Sequence, residues 1–133
     1  MRAAESGGPS AVVAAGDEET RILLRGLLRL HHVRVEGEAR NASVALELLR
    51  RVRPSLLVLD VDLADGGFEK LLAGARAQLP GLRIVLVAPS SRPPPALPDG
   101  PAPDVTLLRP FRIRAFAEAI APSAGGAPPG PPP

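Results

Sequence analysis

The sequence predicts an α/β fold, a doubly wound parallel sheet, and three observations carry that expectation. Short apolar runs alternate with amphipathic segments along the chain. Most of the runs show no polar alternation, as strands covered on both faces require. One of them, SLLVLD at 55–60, ends in an acid, at the edge where such sheets present functional groups.

The strands in order are AVVAA (11–15), VRVE (33–36), SLLVLD (55–60), RIVLVA (83–88) and VTLL (105–108). DEETRILLRGLLRL predicts the first helix: Asp17 can cap it, Glu18 and Glu19 suit its first turn, and Leu23, Leu27 and Leu30 share a face expected to point inward. Asn41 caps a second helix, with Val44, Ala45, Leu48, Leu49 and Val52 inward and Arg50, Arg51 and Arg53 at its C-terminal end. Phe68, Leu71, Leu72, Ala75 and Leu79 mark a third, ended by Pro80-Gly81; Ile113, Phe116, Ala117 and Ile120 mark the last. The fourth crossover, PSSRPPPALPDGPAP (89–103), holds seven prolines in fifteen residues, so a loop is expected where a fourth helix would lie. Only VRVE alternates apolar with charged, which suits an edge strand and an order of 2-1-3-4-5, the flavodoxin-like arrangement.

The 133 residues have room for one domain, expected over 11–121, between an N-terminus (1–10) and a Pro/Gly-rich tail (122–133) both expected to be disordered. No cysteine is present, which excludes a disulfide framework and fits a reducing compartment. No apolar run nears the roughly 18 residues of a membrane span, so a cytoplasmic protein without a membrane partner is expected. All but one of the 16 basic residues are Arg, yet formal net charge is only +2. Arg21, Arg25 and Arg29 therefore read as a solvated helix face, and no nucleic-acid partner is expected.

At the carboxyl ends of the strands the fold would gather Ala15, Gly16, Asp60, Ala88 and Arg109. An enzyme is not expected there. AAGDEET is neither a GxGxxG nor a Walker loop, GxSxG is absent, and no Tyr or Trp exists to stack a flavin. For Asp60 alone, the plain reading is a strand-end acid capping the next turn; Asp62 and Asp65 read as turn residues.

SLLVLDVDLADGGFE, LLRPF and EGEARNASVALELLRRVRP, in this order and spacing, resemble the receiver domains of response regulators, the CheY-like phosphoacceptor modules of two-component phosphorelay signalling. The resemblance runs from Val12 to Ile120. It implies that Asp60 holds the phosphoacceptor position, Asp62 the position whose backbone carbonyl reaches the metal, and Arg109 that of the family's lysine. The family's adjacent acidic pair falls on Ala15 and Gly16, its switch Thr or Ser on Ala88 and its switch aromatic on Thr106. Without the pair, Asp60, with Asp17 or Asp62, makes a poor cage for Mg²⁺, so no metal or other cofactor is expected.

The expectation is a receiver-like module with a degenerate, arginine-locked site, acting by phosphorylation-independent protein interaction with a histidine kinase or an output protein. Small residues at 15, 16 and 88 are expected to leave room for Arg109 to reach Asp60. Restoring the pattern with Ala15→Asp, Gly16→Asp, Ala88→Thr and Arg109→Lys is then expected to reopen the site. Two alternatives stay open: a genuine phosphoacceptor that uses Mg²⁺, and a small-ligand pocket at the vacated crevice.

Overall fold

The computed structural model describes residues 8–94 and 100–121. Along the chain run β1 (Ser10–Ala14), α1 (Glu18–Leu30), β2 (Arg34–Ala39), α2 (Ala42–Val52), β3 (Leu56–Asp60), α3 (Phe68–Gln78), β4 (Arg83–Pro89), β5 (Val105–Arg109) and α4 (Ile113–Ile120). The strands form one parallel sheet in the order β2-β1-β3-β4-β5. β2 is the edge, as its alternation requires, and its register against β1 slips between Ala11 and Val12. The expected disorder of 1–10 and 122–133 falls almost wholly outside the described residues, but Ser10 already opens β1.

Alternate residues of each central strand feed two cores. Val12, Ala14, Leu57, Leu59, Ile84 and Leu86 meet α2 and α3 on one side of the sheet. Ala11, Val13, Val58, Val85 and Val87 meet α1 and α4 on the other, around the fully buried Phe116.

The inward face of α1 differs from the sequence expectation. Leu24 and Leu28 are buried, whereas Leu23 and Leu30 are 50% and 61% exposed. The leucine-rich helix offers two apolar stripes, and the stripe through Leu23 and Leu30 would turn Glu19 towards the sheet. With Leu24 and Leu28 inward, Arg21 and Arg25 flank the core instead and reach Glu38 of β2. They are therefore half-buried ion-pair partners; of the expected stripe only Arg29 is exposed. Val44 and Ile113, also expected inward, are exposed, because Ala42, Ala45, Leu48 and Leu49 fill the α2 face and Phe116, Ala119 and Ile120 the α4 face.

Among the described residues no helix joins β4 to β5. The returning strand is held instead by Arg76 of α3, which donates to the Leu82 carbonyl at 2.5 Å, the Ala102 carbonyl at 3.2 Å and the Asp104 carboxylate at 2.9 Å. Asp104 also accepts from the Ile84 backbone N–H at 2.7 Å. Arg76→Ala is expected to lower stability by about 1–2 kcal/mol through these lost charged hydrogen bonds, read as a lower urea midpoint at unchanged slope; an unmoved midpoint would show that the clip is dispensable. No helix of the described residues is long and apolar enough to cross a membrane.

Candidate functional site

β3 is buried along its whole length, so the carboxylate that ends it is buried too: Asp60 is 2% exposed. One residue further on, the Val61 N–H still reaches the Val87 carbonyl of β4, at 3.0 Å, and the chain then turns away. That turn brings the Asp62 backbone N–H onto Asp60 Oδ1 at 2.7 Å. The other carboxylate oxygen, Oδ2, lies 3.2 Å from Arg109 Nη1, within ion-pair distance but off the direction of a hydrogen bond, and has no hydrogen-bond partner. Burial pushes the Asp60 carboxyl above its usual range, against the opposing pull of the Asp62 N–H and the Arg109 charge.

Arg109 comes from the end of β5, where it pairs in register with Pro89. Beyond it the Arg109–Pro110 peptide is cis, and Phe111 stacks on the buried Phe116 with ring centroids 5.7 Å apart, which anchors the segment to the core. The guanidinium also donates to Thr20 Oγ1 at 3.3 Å. Thr20 Oγ1 in turn donates to Asp17 Oδ2 at 3.0 Å, while the Thr20 backbone N–H donates to the same oxygen at 2.9 Å. Asp17 is thus the α1 cap, its carboxyl held below the usual range first by that backbone N–H. A continuous polar chain runs Asp60, Arg109, Thr20, Asp17.

Ala15, Gly16 and Ala88 lie around the crevice, but the room expected at Gly16 is filled. Its N–H donates to the Asp62 carbonyl at 2.8 Å, and a Cβ built there would sit 2.8 Å from that oxygen, 2.9 Å from the Ala64 nitrogen and 3.1 Å from the Leu63 carbonyl carbon. The backbone of 62–64 occupies the place where a side chain at 16 would project. Ala15 and Ala88 are fully buried, and Arg21 Nη1 caps the Ala15 carbonyl at 2.7 Å.

Asp62 therefore faces three ways. Its N–H serves Asp60, its carbonyl accepts from Gly16, and its carboxylate points outward to Arg92, whose Nη2 lies 3.1 and 3.0 Å from the two oxygens. Asp65 accepts from the backbone N–H groups of Ala42 and Gly67 and ties the turn to the start of α2, the structural use expected of it.

Two of these participants were not legible as site residues. At Thr20 nothing local shows that a strand 89 residues away reaches it. Arg92 sits in the proline-rich segment, where no periodicity places a side chain. A cavity of about 540 Å³ exists elsewhere, on the α3 side of β4 and β5, lined by Phe68, Leu72, Leu86, Thr106, Leu108 and neighbouring prolines. None of the crevice residues lines it.

The donor set does not fit Mg²⁺. That ion wants octahedral oxygen ligands at short range, and here the one buried carboxylate faces a guanidinium, the Asp62 carboxylate points outward to Arg92, and Asp17 caps α1. Among the described residues no three His, Cys, Asp or Glu side chains group to hold a metal ion.

Comparison with solved structures shows the same fold in receiver domains. The signal receiver domain of NarL from Mycobacterium tuberculosis superposes with a TM-score of 0.72 at 25% identity, covering 84% of this chain and 92% of that one. The signal receiver domain of an HD domain-containing protein from Pseudomonas fluorescens Pf-5 gives 0.73 at 21% identity, covering 86% and 92%. The REC domain of the response regulator PhyR from Erythrobacter litoralis gives 0.70 at 18% identity, covering 87% and 89%. No protein-family model and no curated protein matches the sequence. The fold is thus that of receiver domains.

Proposed function

We propose that this chain is a receiver-like signalling module that works by protein interaction with its phosphoacceptor position, Asp60, held out of use. Proteins that share a fold need not share an activity, so the reading rests on the site. The observation that carries it is the backbone of 62–64 seated on Gly16: the carbonyl that the resemblance assigns to a metal is already hydrogen-bonded, and the place of a second acid is full. On the open side Arg109 brings a fixed positive charge to Asp60. A kinase or an output protein would then read the folded surface itself, with no chemical change at the crevice.

The test is the intact mass of the full chain after incubation with acetyl phosphate and Mg²⁺. The expected spectrum is unchanged. A stoichiometric gain of one phosphoryl group that disappears in Asp60→Asn would overturn the proposal and establish the phosphoacceptor reading. The ligand-pocket reading has less support, since the 540 Å³ cavity lies away from the crevice.

A further inference from the structure

α1 leaves its leucine-rich outer face uncovered. Ile22, Leu23 and Leu30 are 48%, 50% and 61% exposed, and Gly26 opens onto empty space, with no atom within 4 Å of where a Cβ would stand. Scattered single apolar residues on a surface need no explanation; here three are gathered on one 13-residue helix. Their arrangement with the charges says what covers them.

Glu19, Ile22, Gly26 and Arg29 fall at spacings of three, four and three residues, the pattern of a helix–helix seam. Glu19 and Arg29 lie five residues to either side of Leu24, and Ile22 and Gly26 two residues to either side. The seam is therefore self-complementary under reversal: acid answers base, and a large side chain answers a gap. Arg21 and Arg25 are engaged with Glu38, but neither Glu19 nor Arg29 has an ion-pair partner among the described residues.

We infer that α1 docks against α1 of a second copy of this chain, antiparallel about a two-fold axis at the level of Leu24, with Ile22 seated on Gly26 and Glu19 beside Arg29 of the other copy. A two-fold interface uses one patch twice, so each of these contacts occurs twice. Leu23 and Leu30 border the seam on one side and add apolar area. Antiparallel packing also sets the acidic start of each helix against the basic end of the other, which favours the pairing electrostatically.

One helix per copy makes a small interface, so a weak, concentration-dependent dimer is expected, with a dissociation constant on the order of tens of micromolar. Sedimentation equilibrium of the full chain reads it. Glu19→Arg and Arg29→Glu should each weaken association by about tenfold or more, since either places like charges face to face. Mixed together, the two variants should associate with each other: at one charged contact the two reversals meet, at the other the two unchanged residues do, and both contacts pair acid with base. The doubly reversed chain should recover self-association. Gly26→Leu fills the gap with a better helix former, so it should abolish the dimer without loss of helical signal. A wild-type chain that stays monomeric into the millimolar range, or a dimer indifferent to Gly26→Leu and to both charge reversals, would overturn the inference.

Discussion

Arg109→Ala is expected to destabilise the protein by about 2–4 kcal/mol at neutral pH, while Asp60→Asn is expected to cost less than about 1 kcal/mol. The asymmetry follows from where each charge sits. Asp60 is buried and one of its oxygens lacks a hydrogen bond, so removing Arg109 leaves an uncompensated charge in the core. Arg109 is 29% exposed and keeps Thr20, so losing Asp60 leaves it with water and a partner. An asparagine also keeps the Oδ1 acceptor for the Asp62 N–H and removes the burial cost of the charge. That partial exposure of the guanidinium is why the figure is set lower than the range for fully buried pairs.

The same site fixes a pH dependence. The folded carboxyl of Asp60 titrates above its unfolded value, so between the two the native state holds a proton that the unfolded chain has released. Stability from the neutral carboxyl is full below the unfolded value and is lost as pH rises through the folded one. Removing Arg109 raises the folded value further. The deficit of Arg109→Ala should accordingly shrink in acid, where Asp60 is neutral in both states and only the contact with Thr20 is lost, and grow as pH rises. Urea titrations over a pH series check both statements. A deficit equal in Asp60→Asn and Arg109→Ala, or one that does not change with pH, would show that the ion pair is not what the crevice is built around.

Gly16→Ala is expected to cost about 1–3 kcal/mol, the range for forcing extra volume into a filled place, although the backbone angles of Gly16 lie outside the left-handed region. The added Cβ would meet backbone atoms of Asp62 and Ala64, which cannot rotate aside as a side chain can. Gly16→Asp adds a second carboxylate beside Asp60 and should cost more. The fourfold restoration that the sequence invites therefore begins with a steric conflict, and is expected to yield a destabilised chain whose unfolding midpoint does not respond to Mg²⁺. A Gly16→Ala variant as stable as the parent would mean that the 62–64 turn yields easily and that the acid site can be rebuilt.

The sheet order, and a β4–β5 connection with no helix among its described residues, were legible because each rests on a local signal: unbroken apolar runs, one alternating run, and a proline density no helix tolerates. The inward face of α1 was not, since leucines at 23, 24, 27, 28 and 30 offer two stripes, and the choice lies in a non-local ion pair with Glu38. At the site, the approach of Arg109 to Asp60 follows from both residues ending strands of one parallel sheet, β3 and β5, on either side of β4. What Gly16 does could not be read the same way. A glycine in sequence looks like empty space, and only the path of residues 62–64 shows that the space belongs to another piece of backbone.

The central claim is that a guanidinium and a turn of backbone stand where a metal cage would have to form. Following the backbone amide resonances of Gly16, Asp60 and Asp62 by heteronuclear NMR while Mg²⁺ is raised into the millimolar range tests it most directly, since a bound divalent ion would disturb all three. The expected result is no saturable shift at any of them. Saturable shifts centred on these three residues, in the parent chain, would contradict the account.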